Sequence, residues 1–295
     1  MIHYSGCPVC ANRQVSFSLT ATDNTVTGQA FPIWKCENCT LMFTQDVPRQ
    51  DAIGAYYVSE KYISHSDTRK GIVNRLYHLV RKRTLASKLK LINHETCMQT
   101  GNILDIGSGT GAFIHTMKTA GWSTTGIEPD EQARVKAASN YNLETLPAAE
   151  LFNLPAGKFN AITLWHVLEH VHQLHEYVTQ LKKLLAPGGK LFIAVPNYTS
   201  YDAGVYSEYW AAYDVPRHLY HFSPQSMNLL MKRHGLHVIN SKPMWFDSFY
   251  VALLSEQYKN KKGNLIRACL IGFLSNMKTL FNRQRCSSVI YVIGS

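Results

Sequence analysis

A glycine-rich turn between an apolar run and a helix-like segment is the clearest chemical signal in the sequence. Residues 103–111 read ILDIGSGTG, so Asp105 stands two positions before the first glycine. Glycines allow positive φ and close approach of a ligand to the backbone, and the start of a helix offers free N–H groups. We expect the Asp105 carboxylate to engage a cationic amino-acid moiety. Glu128 follows the next predicted strand, where an acidic residue can accept hydrogen bonds from both hydroxyls of a ribose.

The turn alone leaves its ligand open. Residues 107–112, GSGTGA, also fit the loose dinucleotide fingerprint, which would indicate a nicotinamide-dependent reductase. Two features favour a different ligand: the position of Asp105, and a Pro-Gly-Gly turn at residues 187–189 before a further apolar run.

The motifs in their order resemble the class I S-adenosylmethionine-dependent methyltransferases. The chain carries DIGSGTGAF, GIEP, LEHV and LAPGGKL between residues 101 and 237. The most similar branch joins an N-terminal zinc ribbon to a domain like the ubiquinone-biosynthetic O-methyltransferases. The resemblance implies S-adenosylmethionine as cofactor, with its adenine near Glu150. The predicted cofactor-binding residues are Asp105, Gly107, Ser108, Gly109, Gly111, Glu128, Pro129, Glu150 and Trp165.

Histidines cluster after two predicted strands, in WHVLEH at residues 165–170 and in PRHLYHF at residues 216–222. Both segments follow strand carboxyl ends, where ligands bind in doubly wound sheets. One hypothesis is therefore catalytic: His218 or His221 is the general base of methyl transfer, and Trp165 and His166 wall the cofactor. His166 itself is a third catalytic candidate.

Two other hypotheses for the same histidines stay open. His166, Glu169 and His170 would share one face of a helix and bind a divalent metal, with His218 or His221 as fourth ligand. The ubiquinone-pathway enzymes resemble this pattern, although their first glutamate is replaced here by His166. Alternatively, Glu169 and His170 only cap and orient the segment.

Four cysteines form two C-x-x-C pairs. Cys7 and Cys10 are separated from Cys36 and Cys39 by 25 residues that suggest a hairpin. Thiolate pairs at this spacing predict tetrahedral zinc with all four positions filled by protein, and hence a structural site. A redox pair is the alternative, but it would explain only two of the four thiols.

The net charge of +10 is unevenly distributed. Residues 68–94 hold eight Lys or Arg and residues 257–295 hold seven, and neither stretch contains Asp or Glu. The rest of the chain is mildly acidic, so a uniformly basic nucleic-acid binder is excluded. The two basic stretches indicate contact with an anionic acceptor or surface, or merely solvated faces.

Elements that position these residues alternate between strand and helix. We predict strands at 102–106, 123–127, 143–146, 159–164, 190–195, 237–243 and 289–293, with helices at 111–120, 131–139, 174–185 and 223–234. This alternation predicts an α/β fold with a doubly wound, seven-stranded, Rossmann-like sheet. The predicted units are a zinc ribbon at 1–46, a linker and basic helix at 47–94, and a methyltransferase domain at 95–295. That domain includes an aromatic insertion at 197–222 and a basic amphipathic helix at 256–285.

The expected function is methyl transfer from S-adenosylmethionine to a small-molecule or glycan acceptor, most simply to oxygen or nitrogen. The alternatives are an RNA methyltransferase, which the zinc ribbon and basic helix motivate, and a non-catalytic binding protein with the same fold. No secretory signal is visible, which predicts a cytoplasmic protein. Residues 264–281 could add peripheral contact at the inner membrane surface. The oligomeric state is not predicted.

Overall fold

The computed structural model describes residues 1–57 and 72–295, with side chains of the first helix from residue 80 onward. Two sheets organise these residues. The smaller one has the order β1-β2-β3-β9, and all its pairings are antiparallel. Its strands are β1 (Val15–Thr22), β2 (Ala30–Cys36), β3 (Met42–Thr44) and β9 (Tyr220–His221).

The larger sheet has seven strands in the order β10-β11-β8-β7-β4-β5-β6. They are β4 (Asn102–Ile106), β5 (Ser123–Ile127), β6 (Thr145–Leu146), β7 (Phe159–Trp165), β8 (Leu185–Pro196), β10 (His237–Pro243) and β11 (Ser288–Gly294). The strands from β6 to β8 pair in parallel, and only β11 runs against its neighbours. The predicted doubly wound seven-stranded fold is confirmed.

Helices cover the faces of this sheet. In chain order they are α1 (Ile72–Thr96), α2 (Ala112–Thr119), α3 (Glu131–Tyr141), α4 (Leu174–Leu184), α5 (Tyr201–Tyr206), α6 (Pro224–Arg233), α7 (Asp247–Asn260) and α8 (Leu265–Phe281). The central strands are buried on both sides, as continuous apolar runs require. Part of the predicted connector, residues 58–71, lies outside the described residues.

Several predicted boundaries differ from the structure. The third strand is only Thr145–Leu146, and β8 begins at Leu185, so it runs through the Pro-Gly-Gly segment instead of following it. A bulge opposite β7 accommodates those glycines, and a Cβ on Gly189 would lie 2.7 Å from the Phe159 carbonyl oxygen. The basic amphipathic helix predicted within 256–285 is α8, and the first residues of that segment belong to α7; Gly263 has a φ of +67° in the turn that separates the two helices.

The aromatic insertion is a packing unit. Tyr206, Trp210 and Tyr213 are buried in a cluster with residues of the small sheet and of helices α7 and α8. The Trp210 indole donates to the buried Asp202 carboxylate over 2.8 Å. These rings therefore hold the small sheet against the large domain, and they are not available to cover an acceptor.

Candidate active site

The glycine turn joins β4 to α2 in a conformation that needs glycine. Gly107, Gly109 and Gly111 have φ values of +72°, +54° and +83°. A Cβ on Gly107 would lie 2.5 Å from Val167 Cγ2, which is closer than carbon atoms approach. The backbone N–H groups of residues 107 and 108 both donate to the Ile127 carbonyl oxygen, over 2.8 and 3.0 Å. The turn is thus fixed across the ends of β4 and β5.

A cavity of about 450 Å³ opens beside this turn. It is lined by the turn, by α1, by the end of β7 and by the start of α7. Its walls combine aromatic rings with charged groups: Phe113, Trp165, Phe246 and Tyr250 alongside Lys88, Asp105 and Asp247. This size and composition suit a small organic ligand with at least one charged end.

Asp105 lies at the base of the cavity and is nearly inaccessible to solvent. Thr163 Oγ1 donates to its Oδ1 over 2.6 Å. Burial outweighs this hydrogen bond and the nearby Lys88 ammonium, and raises the pKa of Asp105 to about 7. A carboxylate with a raised pKa at the base of an apolar cavity gains most from a cationic ligand.

Lys88 of α1 is the protein's own cation in the cavity. Its Nζ lies 3.9 Å from the ring centroid of Trp165. Burial lowers the pKa of Lys88 to about 8, against the attraction of Asp105 and Asp247. An internal ammonium therefore lies in the position where a cationic ligand would meet Asp105.

Glu128 lies at the end of β5, beside the glycine turn. It is buried, and its two oxygens accept from the N–H groups of Gly109 and Asp130 over 2.7 and 3.0 Å. Burial raises its pKa above the ordinary value, although these hydrogen bonds oppose the shift. Glu128 is thus held at the turn, but it is not among the residues that line the cavity.

The other cofactor candidates divide into two groups. Ser108 and Trp165 line the cavity, and Ser108 Oγ and Trp165 Nε1 are buried without a hydrogen-bond partner. Pro129 and Glu150 are not among the residues that line it. Glu150 lies in the 3₁₀ helix Ala148–Asn153 and accepts a hydrogen bond from Asn153 over 3.3 Å. The buried Ser108 Oγ and Trp165 Nε1 are both inaccessible, so they do not themselves mark a ligand-binding position.

His166 follows β7 with a positive φ of 59°, which turns its ring toward α7. Its Nε2 lies 3.1 Å from Asp247 Oδ2, and its Nδ1 lies 3.4 Å from Glu169 Oε1. Burial lowers the pKa of His166, but the two carboxylates together raise it to about 10. His166 is therefore a cation in this arrangement, and it holds the Asp247 carboxylate ionised at the cavity wall.

Glu169, His170 and His218 form a buried cluster beside this pair, with ligand atoms within 4.8 Å of one another. Neither oxygen of Glu169 accepts a hydrogen bond of ordinary geometry, and its charged partner is His166, whose Nδ1 lies 3.4 Å from Oε1. His170 Nδ1 donates to the Arg217 carbonyl, and His218 Nδ1 donates to that of Ala212. Both Nε2 atoms are then free to accept. Metal-ligating histidines show this arrangement, because the backbone hydrogen bond fixes the ring and its tautomer.

The structure brings the predicted metal residues together in a different combination. Glu169 and His170 are joined by His218, whose Nε2 lies 4.0 Å from Glu169 Oε1. His166 instead pairs with Asp247. His221 lies apart in β9, where its Nε2 is 3.1 Å from Thr44 Oγ1, and burial lowers its pKa well below the ordinary value. His221 is not among the cavity-lining residues, so the structure gives it a place in the small sheet.

The four cysteines meet at one end of the small sheet. Cys7 Sγ lies 3.4 Å from Cys39 Sγ, and Cys10 Sγ lies 3.5 Å from Cys36 Sγ. Four thiolates at 2.3 Å from a tetrahedral zinc would be about 3.8 Å apart. Each pair ends in the same turn: the residue after it, Ala11 or Thr40, has a positive φ. The cluster fits a small zinc module.

Sequence reasoning missed Asp247 and the placement of Lys88. Asp247 begins the unpredicted helix α7, four residues beyond the end of β10. The rule that ligands lie outside strand carboxyl ends, applied to this strand too, would have pointed to it. Lys88 was noted only as part of a basic helix, since no spacing shows which lysine turns inward.

A family model described as a methyltransferase domain matches residues 77–241, more than half of the chain. The match includes the glycine turn, Glu128 and the histidine segments, but neither the two C-x-x-C pairs nor Asp247. No helix in residues 1–57 and 72–295 has the length and apolar character to cross a membrane.

Two of the curated relatives are ubiquinone biosynthesis O-methyltransferases. The ubiquinone biosynthesis O-methyltransferase of Caulobacter sp. (strain K31) is 30% identical over 128 residues, which are 41% of this chain and 50% of the relative. The mitochondrial ubiquinone biosynthesis O-methyltransferase of Rattus norvegicus is 27% identical over 164 residues, or 50% of this chain and 47% of the relative. The chain spans about half the length of the curated relatives it matches.

A solved structure gives the same fold. Phosphoethanolamine N-methyltransferase 2 of Haemonchus contortus, in complex with S-adenosyl-L-methionine, superposes with a TM-score of 0.50 at 15% identity. The superposition covers 70% of this chain and 51% of that protein. At 15% sequence identity, this structural similarity is evidence for a shared fold only.

Proposed function

Because the chain belongs to the methyltransferase domain family, we propose that it transfers the methyl group of S-adenosylmethionine to a small-molecule or glycan acceptor. One observation carries the proposal: a buried carboxylate, Asp105, lies at the base of a ligand-sized cavity beside the glycine turn. Asp105 would bind the ammonium of the methionine moiety, and Glu128 would bind the ribose.

When bound, the cofactor supplies an electrophilic sulfonium methyl group. The protein's task is then to hold the acceptor in line and to exclude water. Such positioning is worth up to about 7–11 kcal/mol. The rings of Phe113 and Trp165, which meet edge to face with centroids 5.4 Å apart, wall the cavity against solvent.

A proton must leave a hydroxyl or amine acceptor, and Asp247 is the group that can take it. Of the three predicted base candidates, His166 is the one that contacts this cavity-lining carboxylate, while His218 and His221 point elsewhere. A positioned base contributes about 10²–10⁴-fold. We therefore assign proton transfer to Asp247, with His166 holding it in place.

We further propose that Glu169, His170 and His218 bind a divalent transition metal. A buried carboxylate without a well-formed hydrogen bond, beside two imidazole rings, is a donor set that such an ion satisfies. The ion would neutralise Glu169 next to His166 and would fix the segment that follows β7. The four cysteines would hold a separate, structural zinc.

The cofactor is tested by calorimetry with S-adenosylmethionine. Glu128→Gln should weaken binding by about tenfold or more, since ribose hydroxyls then lose a charged acceptor. Glu144→Gln, at an exposed glutamate nearby, is the matched control and should bind as the native protein does. Native protein that binds no S-adenosylmethionine would refute the proposal. A titration with NADH distinguishes the reductase alternative.

Turnover is tested separately, by release of S-adenosylhomocysteine with hydroxyl- and amine-bearing acceptors. Binding without release for any acceptor class would favour the non-catalytic alternative. RNA as acceptor predicts affinity that falls steeply with salt, whereas a small neutral acceptor does not.

A further inference from the structure

Helix α8 is packed with its small side chains inward and its large ones outward. The buried positions are Ala268, Ile271, Gly272, Ser275 and Thr279. The exposed positions include Ile266 at 84%, Leu270 at 55%, Phe273 at 54% and Phe281 at 87% exposure. A helix that only packs on a domain shows the opposite arrangement, with its polar side chains facing solvent.

The exposed residues form one face. Ile266, Leu270, Phe273, Met277 and Leu280 recur at spacings of three and four along α8, so they lie on one side of the helix. We call this the outer face. An exposed apolar strip of four helical turns is larger than isolated surface residues explain, and it marks a binding surface.

Aromatic residues at the start of α7 are also exposed. Phe249 packs on the buried side of α8, since a Cβ on the inward-facing Gly272 would lie 2.7 Å from its ring. Asn276 Nδ2 donates to the Trp245 carbonyl over 2.8 Å, which ties the preceding loop to the same helix. Trp245 and Phe246 are exposed, and Phe246 also lines the cavity. Exposed aromatic rings therefore lie beside α8 and at the mouth of the candidate active site.

The segment that carries α8 is basic, although Arg267 on this helix pairs with the buried Glu256 over 3.2 Å. Residues 257–295 contain seven Lys or Arg and no acid. All seven are exposed: Lys259, Lys261, Lys262, Arg267, Lys278, Arg283 and Arg285. A second copy of the chain would bring the same basic rim against itself in a two-fold interface, which like-charge repulsion disfavours. An apolar surface within a basic rim complements an anionic lipid bilayer.

We propose that the outer face and the adjoining aromatic residues dock the protein on an anionic lipid bilayer, with α8 lying in the interface plane. The 17-residue helix would insert its exposed apolar side chains among the acyl chains while the lysines and arginines meet lipid phosphates.

The test is co-sedimentation of the full chain with phosphatidylcholine vesicles that contain or lack about 30% phosphatidylglycerol. We expect binding to the anionic vesicles that weakens as salt is raised. The double variant Leu270→Glu, Phe273→Glu should lose binding by about tenfold or more. Val135→Glu, which alters an exposed apolar residue on α3, is the matched control and should bind normally. Replacing Lys261 and Lys262 with glutamine should weaken binding to anionic vesicles only.

Three outcomes would overturn the proposal: no binding to anionic vesicles, equal binding to both vesicle types, or full binding by the double variant. Light scattering without lipid tests the other possible occupant of the outer face, which is a second copy of the chain. A dimer that the double variant abolishes would assign the outer face to a second copy. Calorimetry with S-adenosylmethionine on the same variant separates this from the proposed function, because the cofactor residues are untouched.

Discussion

The ionisation of Asp105 should control cofactor affinity near neutral pH. Its pKa is raised to about 7 by burial, so the carboxyl is mostly neutral at pH 6 and mostly ionised at pH 7.5. The ionised fraction rises from about 0.1 to about 0.75 between these values, which corresponds to roughly eightfold tighter binding of an ammonium-bearing ligand. Above about pH 8 the ammonium of the ligand itself begins to lose its proton, so the increase should end there.

Asp105→Asn removes both the charge and its titration. At pH 7.5 the variant should bind about 10–150-fold more weakly, as expected for a lost charge-assisted hydrogen bond of about 1.5–3 kcal/mol. At pH 6 the two proteins should differ much less. Thr163→Val provides a second perturbation, because losing the 2.6 Å hydrogen bond to Oδ1 should move the pH midpoint upward without removing the carboxyl.

The assay is calorimetric titration with S-adenosylmethionine from pH 5.5 to 8 in buffers of equal ionic strength. The raised pKa of Asp105 also affects the free energy of unfolding. Its change with pH is opposite in sign to that caused by a salt-bridged Asp, whose pKa is lowered. Between about pH 4 and pH 7 the folded state holds a proton that the unfolded state has lost, so the free protein should become less stable as pH rises. Affinity that is flat across this range, or an Asp105→Asn variant that binds like the native protein at pH 7.5, would refute the reasoning.

Three further predictions follow from particular contacts. Cys36→Ser, or chelation of the native protein, should lower the melting temperature and release about one zinc per chain by elemental analysis; an unchanged melting curve with no zinc would exclude the structural site. Asp247→Asn should lower kcat by about 10²-fold or more while the affinity for cofactor changes little, as measured by S-adenosylhomocysteine release and calorimetry; an unchanged kcat would remove Asp247 from proton transfer. Gly107→Ala should destabilise the fold by about 2 kcal/mol or more, because its Cβ would meet Val167 Cγ2 at 2.5 Å and its φ is positive. Shortening Val167 to alanine in the same chain should recover part of that loss in a denaturant titration, since only the strained φ then remains.

Local patterns account for what the sequence predicted well. The strand-like segments at β4, β5 and β7, the glycines of the turn and the acid at residue 128 follow one another in order, and such signals need no knowledge of distant contacts. The four cysteines are also a local signal, because two C-x-x-C pairs predict a metal module without knowledge of distant contacts.

The remaining errors arise where distant segments meet. The His221 ring was predicted at the catalytic centre because it follows a strand in sequence, but it completes a sheet with residues near the N-terminus. Asp247 was overlooked because α7 carries mixed apolar and polar residues without a clear helical period. The inverted packing of α8 likewise depends on which neighbours bury Gly272 and Ser275, and that information is absent from the helix's own sequence.

Because β3 pairs with β9, the small sheet depends on two segments that are far apart in the sequence, which affects folding during synthesis and the effect of truncation. Thr44 and His221, which meet across it, are 177 residues apart in sequence. Arg217 lies four residues before His221 and is almost fully buried. Its Nη2 donates to Asp23 Oδ1 in the N-terminal hairpin over 3.2 Å. During synthesis the N-terminal module would leave the ribosome long before its last strand exists, so the small sheet can close only after most of the methyltransferase domain has emerged. A truncation at residue 46 would therefore not release an independent domain on either side of the cut, and the cysteine module has to be exchanged between proteins together with the loop that completes it.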